Sequence, residues 1–223
     1  MKILALNTST EHCSLALWLD GAVVERDVLA GQRHTELILP MLQALLAEAG
    51  VSLGELDGIA FGSGPGSFTG LRIGCGIAQG LAFGADLPVL GICTLEALAE
   101  GSGADHVIAC LDARMGEIYH AVYSRQEEDW QALSAPGLYA PEAAPPVEGN
   151  DWTGAGSGFG VHCEALLARY GDQIQRVAAE AIPHARDVAC LAVSRLERGQ
   201  GVEAWNAAPL YLRDKIALKT SER

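Results

Sequence analysis

What this chain lacks narrows its function first. Basic residues are scarce: 15 Lys and Arg stand against 28 Asp and Glu, for a net charge of −13. A protein that grips nucleic acid by itself needs a basic surface to displace phosphate counterions. Any nucleic-acid contact is therefore expected to fall to a partner. The one basic cluster, Arg213, Lys215, Lys219 and Arg223, is broken by Asp214 and Glu222. No apolar run approaches the roughly 18 residues of a membrane span. The opening Met1-Lys2-Ile3-Leu4-Ala5-Leu6-Asn7 is too short for a signal peptide and reads as a strand, so the chain is expected in the cytoplasm, away from membranes. The six cysteines (Cys13, Cys75, Cys93, Cys110, Cys163, Cys190) include no C-x-x-C pair, which fits reduced, mostly buried thiols and argues against a zinc site. No two of His12, His34, His106, His120, His162 and His184 stand three or four apart, so a helical metal pair is absent as well. His34 falls near a helix start, where a capping or surface role is expected.

What is present is enough apolar material for a sizeable core. Hydrophobic residues make up 49% of 223 residues, which suits one large domain or two small ones. Ile3 to Leu6, Cys13 to Leu19 and Ala22 to Val28 read as a meander, with Asp20-Gly21 as a hairpin turn. Leu37, Met41, Leu42, Leu45 and Leu46 fall at helical spacing before Gly50, a natural stop. Pro40 lies inside that pattern, so the helix is expected to begin near it or to kink there.

The densest motif is Phe61-Gly62-Ser63-Gly64-Pro65-Gly66-Ser67-Phe68-Thr69-Gly70-Leu71-Arg72-Ile73-Gly74, a strand, a glycine turn and a helix start. Such turns bring backbone N–H groups to anions, and Gly64, Gly66, Ser67, Thr69 and Arg72 are the residues placed for it. The loop lacks the lysine of the phosphate-binding pattern G-x-x-x-x-G-K-[ST], so a structural turn and an anion site both stay open. Neither Ser63 nor Ser67 has the flanking glycines of a nucleophile elbow. In the following helix, Gly70, Gly74, Ala78 and Ala82 form one small row, and Gly76, Gly80 and Gly84 another. Each interior glycine costs about 1 kcal/mol against alanine, and close approach of another backbone offsets that. Gly74→Leu is accordingly expected to break partner binding more than folding.

After Val89 to Ile92 and a short helix from Thr94, Gly101-Ser102-Gly103 reads as a boundary, dividing the chain into 1–103 and 104–223. The opening pattern then returns. Val107 to Leu111 is an apolar strand, Asp112 to Gly116 a turn, and Glu117 to Tyr123 a strand, and Trp152 to Phe159 echoes the glycine loop. Ala135 to Gly149 is expected to be a loop, Glu164 to Tyr170 and Ala185 to Arg198 helices, and Pro209 to Arg213 an extended piece. Asp112 is expected to be a turn residue.

Ile3 to Thr10, the string Gly64-Pro65-Gly66-Ser67-Phe68-Thr69-Gly70-Leu71-Arg72-Ile73-Gly74 and Tyr211-Leu212-Arg213 closely resemble the TsaB family, also called YeaZ. The resemblance implies an α/β chain with the actin-like ATPase (ASKHA) fold, built from two duplicated ribonuclease H-like halves. It implies a non-catalytic partner of TsaD, the subunit that transfers threonylcarbamoyl to adenosine 37 of tRNAs reading codons that begin with A. The small ATPase TsaE completes that complex, and TsaD is expected to make the main tRNA contact. TsaD carries an H-x-x-x-H metal pair whose matching positions here are Thr94 and Leu98, a poor ligand and a non-ligand. No metal and no cofactor are expected, with weak nucleotide binding at the TsaD interface left open. The resemblance further implies that the first two helices form a bundle with TsaD, or with a second copy in a homodimer. It gives Met41, Leu42, Leu45, Leu46, Gly70, Ile73, Gly74, Ile77, Ala78 and Leu81 as interface residues. The rival readings are a glycoprotease-like metallopeptidase, opposed by the missing histidine pair, and a stand-alone actin-fold ATPase or kinase, opposed by Asn7 in place of an aspartate.

Overall fold

The structure is a computed structural model and describes residues 1–127 and 129–213. Lys215, Lys219 and Arg223 of the basic cluster lie outside the described residues.

Two five-stranded sheets repeat one topology. The first is built from β1 (Lys2–Asn7), β2 (His12–Leu19), β3 (Ala22–Leu29), β4 (Gly58–Gly64) and β5 (Val89–Cys93), in the order β3-β2-β1-β4-β5. The second is built from β6 (His106–Asp112), β7 (Ile118–Gln126), β8 (Asp129–Tyr139), β9 (Trp152–Ala155) and β10 (Ile174–Ala178), in the order β8-β7-β6-β9-β10. In each sheet the first three strands are antiparallel neighbours, and the fourth and fifth run parallel to the first. The pattern match between Ile3–Leu19 and Val107–Tyr123 is thus a match of like elements. Asp20 and Gly21 both take positive φ (50° and 101°), the backbone of a tight hairpin turn that follows strand twist.

Strand alternation sorts the core into layers. From β1, Leu4 and Leu6 join Ile38, Leu42 and Leu45 of α1 (His34–Ala49) and Cys75, Ala78 and Ala82 of α2 (Phe68–Ala85) on one face. Ile3 and Ala5 point the other way, toward α3 (Thr94–Gly101) and α6 (Ala185–Glu197). The same middle layer receives Val107, Ala109 and Leu111 of β6, while Ile108 and Cys110 face α4 (Ser157–Val161) and α5 (Cys163–Tyr170). The middle layer ties the sheets together. Arg195 of α6 forms a two-pronged ion pair with Glu96 of α3, and the Ala185 amide donates to Ser14 Oγ of β2 at 2.9 Å.

Three expectations change or narrow. Of the two alternatives at Pro40, a start there is excluded: α1 begins at His34, six residues before it, and runs through it. Proline leaves the Glu36 carbonyl without its helical donor, at a point where both residues are exposed to solvent. His34 is itself buried, with Nε2 3.2 Å from the His12 carbonyl oxygen, and so is neither a cap nor a surface residue. The segment from Ala135 is not loop throughout: β8 continues to Tyr139, at the sheet edge where Pro136 withholds no needed donor.

Candidate functional site

The glycine loop between β4 and α2 packs against the β1–β2 turn, and that turn fills it. Ser67 N–H donates to the Ser9 carbonyl at 2.8 Å, and the Gly70 amide reaches Ser67 Oγ at 3.3 Å. Thr8 Oγ1 donates to the Gly70 carbonyl at 2.7 Å. A Cβ at Gly70 would lie 1.9 Å from the Thr8 carbonyl oxygen, and one at Gly66 would lie 2.6 Å from that of Ser9. The glycines are there because two backbones meet. Two of the amides an anion would use, those of Ser67 and Gly70, are engaged by the chain's own oxygens. On the other side, Thr94 Oγ1 donates to the Pro65 carbonyl and Ser63 Oγ to that of Ile92 at 3.0 Å. Both serines of the loop therefore hold backbone, Ser67 as the N-cap of α2. Asn7 is buried and donates to the Pro183 carbonyl at 2.6 Å, a structural tie to the segment before α6.

Thr69 and Arg72 are exposed at the first turns of α2. The Arg72 guanidinium sits 3.6 Å over the Phe68 ring, and its Nε donates to the Tyr211 hydroxyl at 3.0 Å. The order G-P-G-S-F-T-G-L-R gave no sign of this cluster, because Tyr211 arrives from a segment 139 positions away.

The two small rows of α2 separate sharply. Gly70, Gly74, Ala78 and Ala82 are buried on the chain's own sheet, and a Cβ on Gly74 would meet Thr8 Oγ1 at 2.6 Å. Gly74→Leu is therefore expected to act on folding, which corrects the expectation from sequence. Gly76, Gly80 and Gly84 have nothing within 4 Å of a Cβ and lie open. Beside them, Ile73, Ile77 and Leu81 are half-buried, as are Met41 and Leu46 of α1. Leu42 and Leu45 face inward at 4% and 0% exposure, so with Gly70, Gly74 and Ala78 they are interior residues of this chain. The sequence also missed Phe83, which continues the α2 surface at 72% exposure.

Several histidines and acids elsewhere have structural partners. Asp27 receives His12 Nδ1 at 2.6 Å and His184 Nδ1 at 2.8 Å. Asp112 Oδ1 accepts from the Arg114 amide at 3.1 Å, the turn role expected for it, and lies 3.4 Å from His162 Nε2. His120 Nε2 donates to the Tyr170 hydroxyl at 2.7 Å, since that hydroxyl itself donates to the Pro145 carbonyl. Burial lowers the His120 pKa to about 4, so the ring is neutral. Burial raises the Asp187 carboxyl to about 6. Among the described residues, no three His, Cys, Asp or Glu side chains are grouped to hold a metal ion. Thr94 and Leu98 are both buried, at 0% and 1% exposure. No helix among the described residues is long and apolar enough to cross a membrane.

Comparison with known proteins fits this architecture. A family model described as "TsaD: tRNA N6-adenosine threonylcarbamoyltransferase" matches residues 27–220. The chain is 40% identical to the tRNA threonylcarbamoyladenosine biosynthesis protein TsaB of Escherichia coli, over 98% of this chain and 97% of that protein. It is 36% identical to the protein of the same name from Haemophilus influenzae, over 98% and 96%. The solved structure of YeaZ from Pseudomonas aeruginosa is similar with a TM-score of 0.88 and 41% identity, covering 95% of this chain and 99% of that one. The chain therefore belongs to the protein family that this model describes and, within it, to the TsaB (YeaZ) family that its full-length relatives represent.

Proposed function

We propose that this protein is a non-catalytic scaffold and activator that binds TsaD and supports transfer of threonylcarbamoyl to adenosine 37 of tRNA. The observation that carries this reading is the occupied loop. Thr8 and Ser9 fill the glycine turn, and its two serines hold backbone. Thr94 and Leu98 sit in the core where a metal pair would have to face solvent or substrate. TsaD supplies the chemistry and the main grip on tRNA, in keeping with the net charge of −13 on this chain. TsaE joins through the complex, and a second copy of this chain takes the place of TsaD when TsaD is absent. The cytoplasm is the compartment for this work.

The docking face is the outer side of α1 and α2. Ile73, Ile77 and Leu81 form a ridge, with Met41 and Leu46 beside it, and Gly76, Gly80 and Gly84 leave a shallow lane where a partner helix can approach closely. The repeated sheet topology supports two ribonuclease H-like halves in an actin-like arrangement, residues 1–103 and 104–223, with α6 returning to pack on the first sheet.

The test is co-purification with TsaD. Gly80→Leu fills open space, so its melting temperature should stay within a few degrees of wild type while TsaD binding falls at least tenfold. Normal binding by that variant would move the interface off this face.

A further inference from the structure

The last described residues cross the junction between the two halves, and each contact they make fixes something on one side or the other. The Ala207 carbonyl accepts from Gln79 Nε2 of α2 at 3.0 Å. The Leu210 amide donates to the Ser63 carbonyl at the end of β4 at 2.7 Å, and a Cβ on Gly64 would lie 2.6 Å from the Leu210 oxygen. Tyr211 packs on Phe68 with ring centres 5.6 Å apart and accepts from Arg72. Arg213 then reaches the second sheet. Its Nη2 donates to the Ala113 carbonyl at 2.9 Å, and its Nη1 lies 2.7 Å from the Glu117 carboxylate. Its side chain is 16% exposed, low for an arginine so near the surface.

What Arg213 holds is strained. In the β6–β7 turn, Arg114, Met115 and Gly116 take φ of 62°, 58° and 76° in succession. Left-handed backbone is costly for residues with a Cβ, and two in a row persist only where the surroundings over-determine them. The turn has its own ties: Ala113 N–H to the Glu117 carbonyl at 2.9 Å, Glu117 N–H to that of Arg114 at 3.1 Å, and the Arg114 amide to Asp112 Oδ1 at 3.1 Å. Its exposed side chains add little more: Arg114 Nη1 lies 3.4 Å from the Asp112 carboxylate, and the Met115 sulfur accepts from Arg213 Nη1 itself at 3.5 Å. The guanidinium fork, bonding a carbonyl and a carboxylate of one turn, adds a constraint from outside it.

We propose that residues 207–213 are a brace between the halves, with Arg213 as the positioning residue that clasps the 113–117 turn. The brace lays its backbone against the carboxyl end of β4, on the side where α/β sheets bind ligands, and reaches the turn after β6 through Arg213. The two halves are thereby held at one mutual position, and the inference stands whether or not TsaD is the partner.

Hydrogen exchange on the full chain tests it. Arg213→Ala should speed exchange of the Ala113 and Glu117 amides and of the Leu210 amide together, each at least tenfold, with the α1 amides unchanged. Faster exchange at the turn alone, with Leu210 still protected, would overturn the brace. Arg213→Lys keeps a charge for Glu117 and loses the fork, so it covers the case in which the alanine variant fails to fold. It should speed the turn amides severalfold in a folded chain, and unchanged turn amides in that variant would equally overturn the proposal.

Discussion

Single residues carry the sharpest tests. A methyl group at Gly70 would lie 1.9 Å from the Thr8 carbonyl oxygen, with backbone on both sides and nothing flexible to yield. Gly70→Ala should cost about 3 kcal/mol or more, read as a fall in the urea midpoint, and a midpoint near wild type would mean the β1–β2 turn moves freely. Two buried titrating groups act in opposite senses. The Asp187 carboxyl, raised by burial to about 6 in the fold, binds its proton more tightly there than in the unfolded chain. Its penalty is present above pH 6 and relieved as pH falls toward 3.8. His120, held down to about 4 by burial, keeps its full contribution above pH 6.5 and loses it as pH falls toward 4. Between these limits the two offset each other. Asp187→Asn should therefore gain on wild type by about 2–3 kcal/mol as pH rises from 4 to 7, by urea unfolding at each pH. Parallel stability curves for the two proteins would refute this. The sequence displayed both glycine rows of α2, yet it could not say which row met the chain's own backbone. That depends on Thr8, 62 positions from Gly70.

At the scale of elements, what was legible had local causes. Asp20-Gly21, Gly50 and the apolar spacing of α1 each act within a few residues, and all three stand where expected. β10 was not legible, because it is a short edge strand with three of five residues exposed and no alternation to betray it. The end of β8 was hidden by Pro136, harmless only because the strand lies at the sheet edge. For the candidate interface, the sequence marked the two helices but mixed the half-buried Met41, Leu46, Ile73, Ile77 and Leu81 with interior Leu42, Leu45, Gly70, Gly74 and Ala78. Periodicity finds an apolar stripe, and that of α1 serves the core with Leu42 and Leu45 while leaving Met41 and Leu46 half-covered. The two groups should respond differently. Leu45→Ala should cost about 2–5 kcal/mol of stability. Ile77→Asp should leave the fold standing and abolish TsaD binding in a pull-down, and retained binding would remove Ile77 from the interface.

The whole molecule is two sheets of one topology, joined through α3 and α6, with the loop that most resembles a ligand site filled from within. The most direct measurement is tRNA threonylcarbamoylation reconstituted from purified TsaD, TsaE and the enzyme that makes the threonylcarbamoyl adenylate, with and without this protein. The account predicts that modification requires this protein and that the protein by itself modifies nothing. Equal modification in its absence would contradict the account.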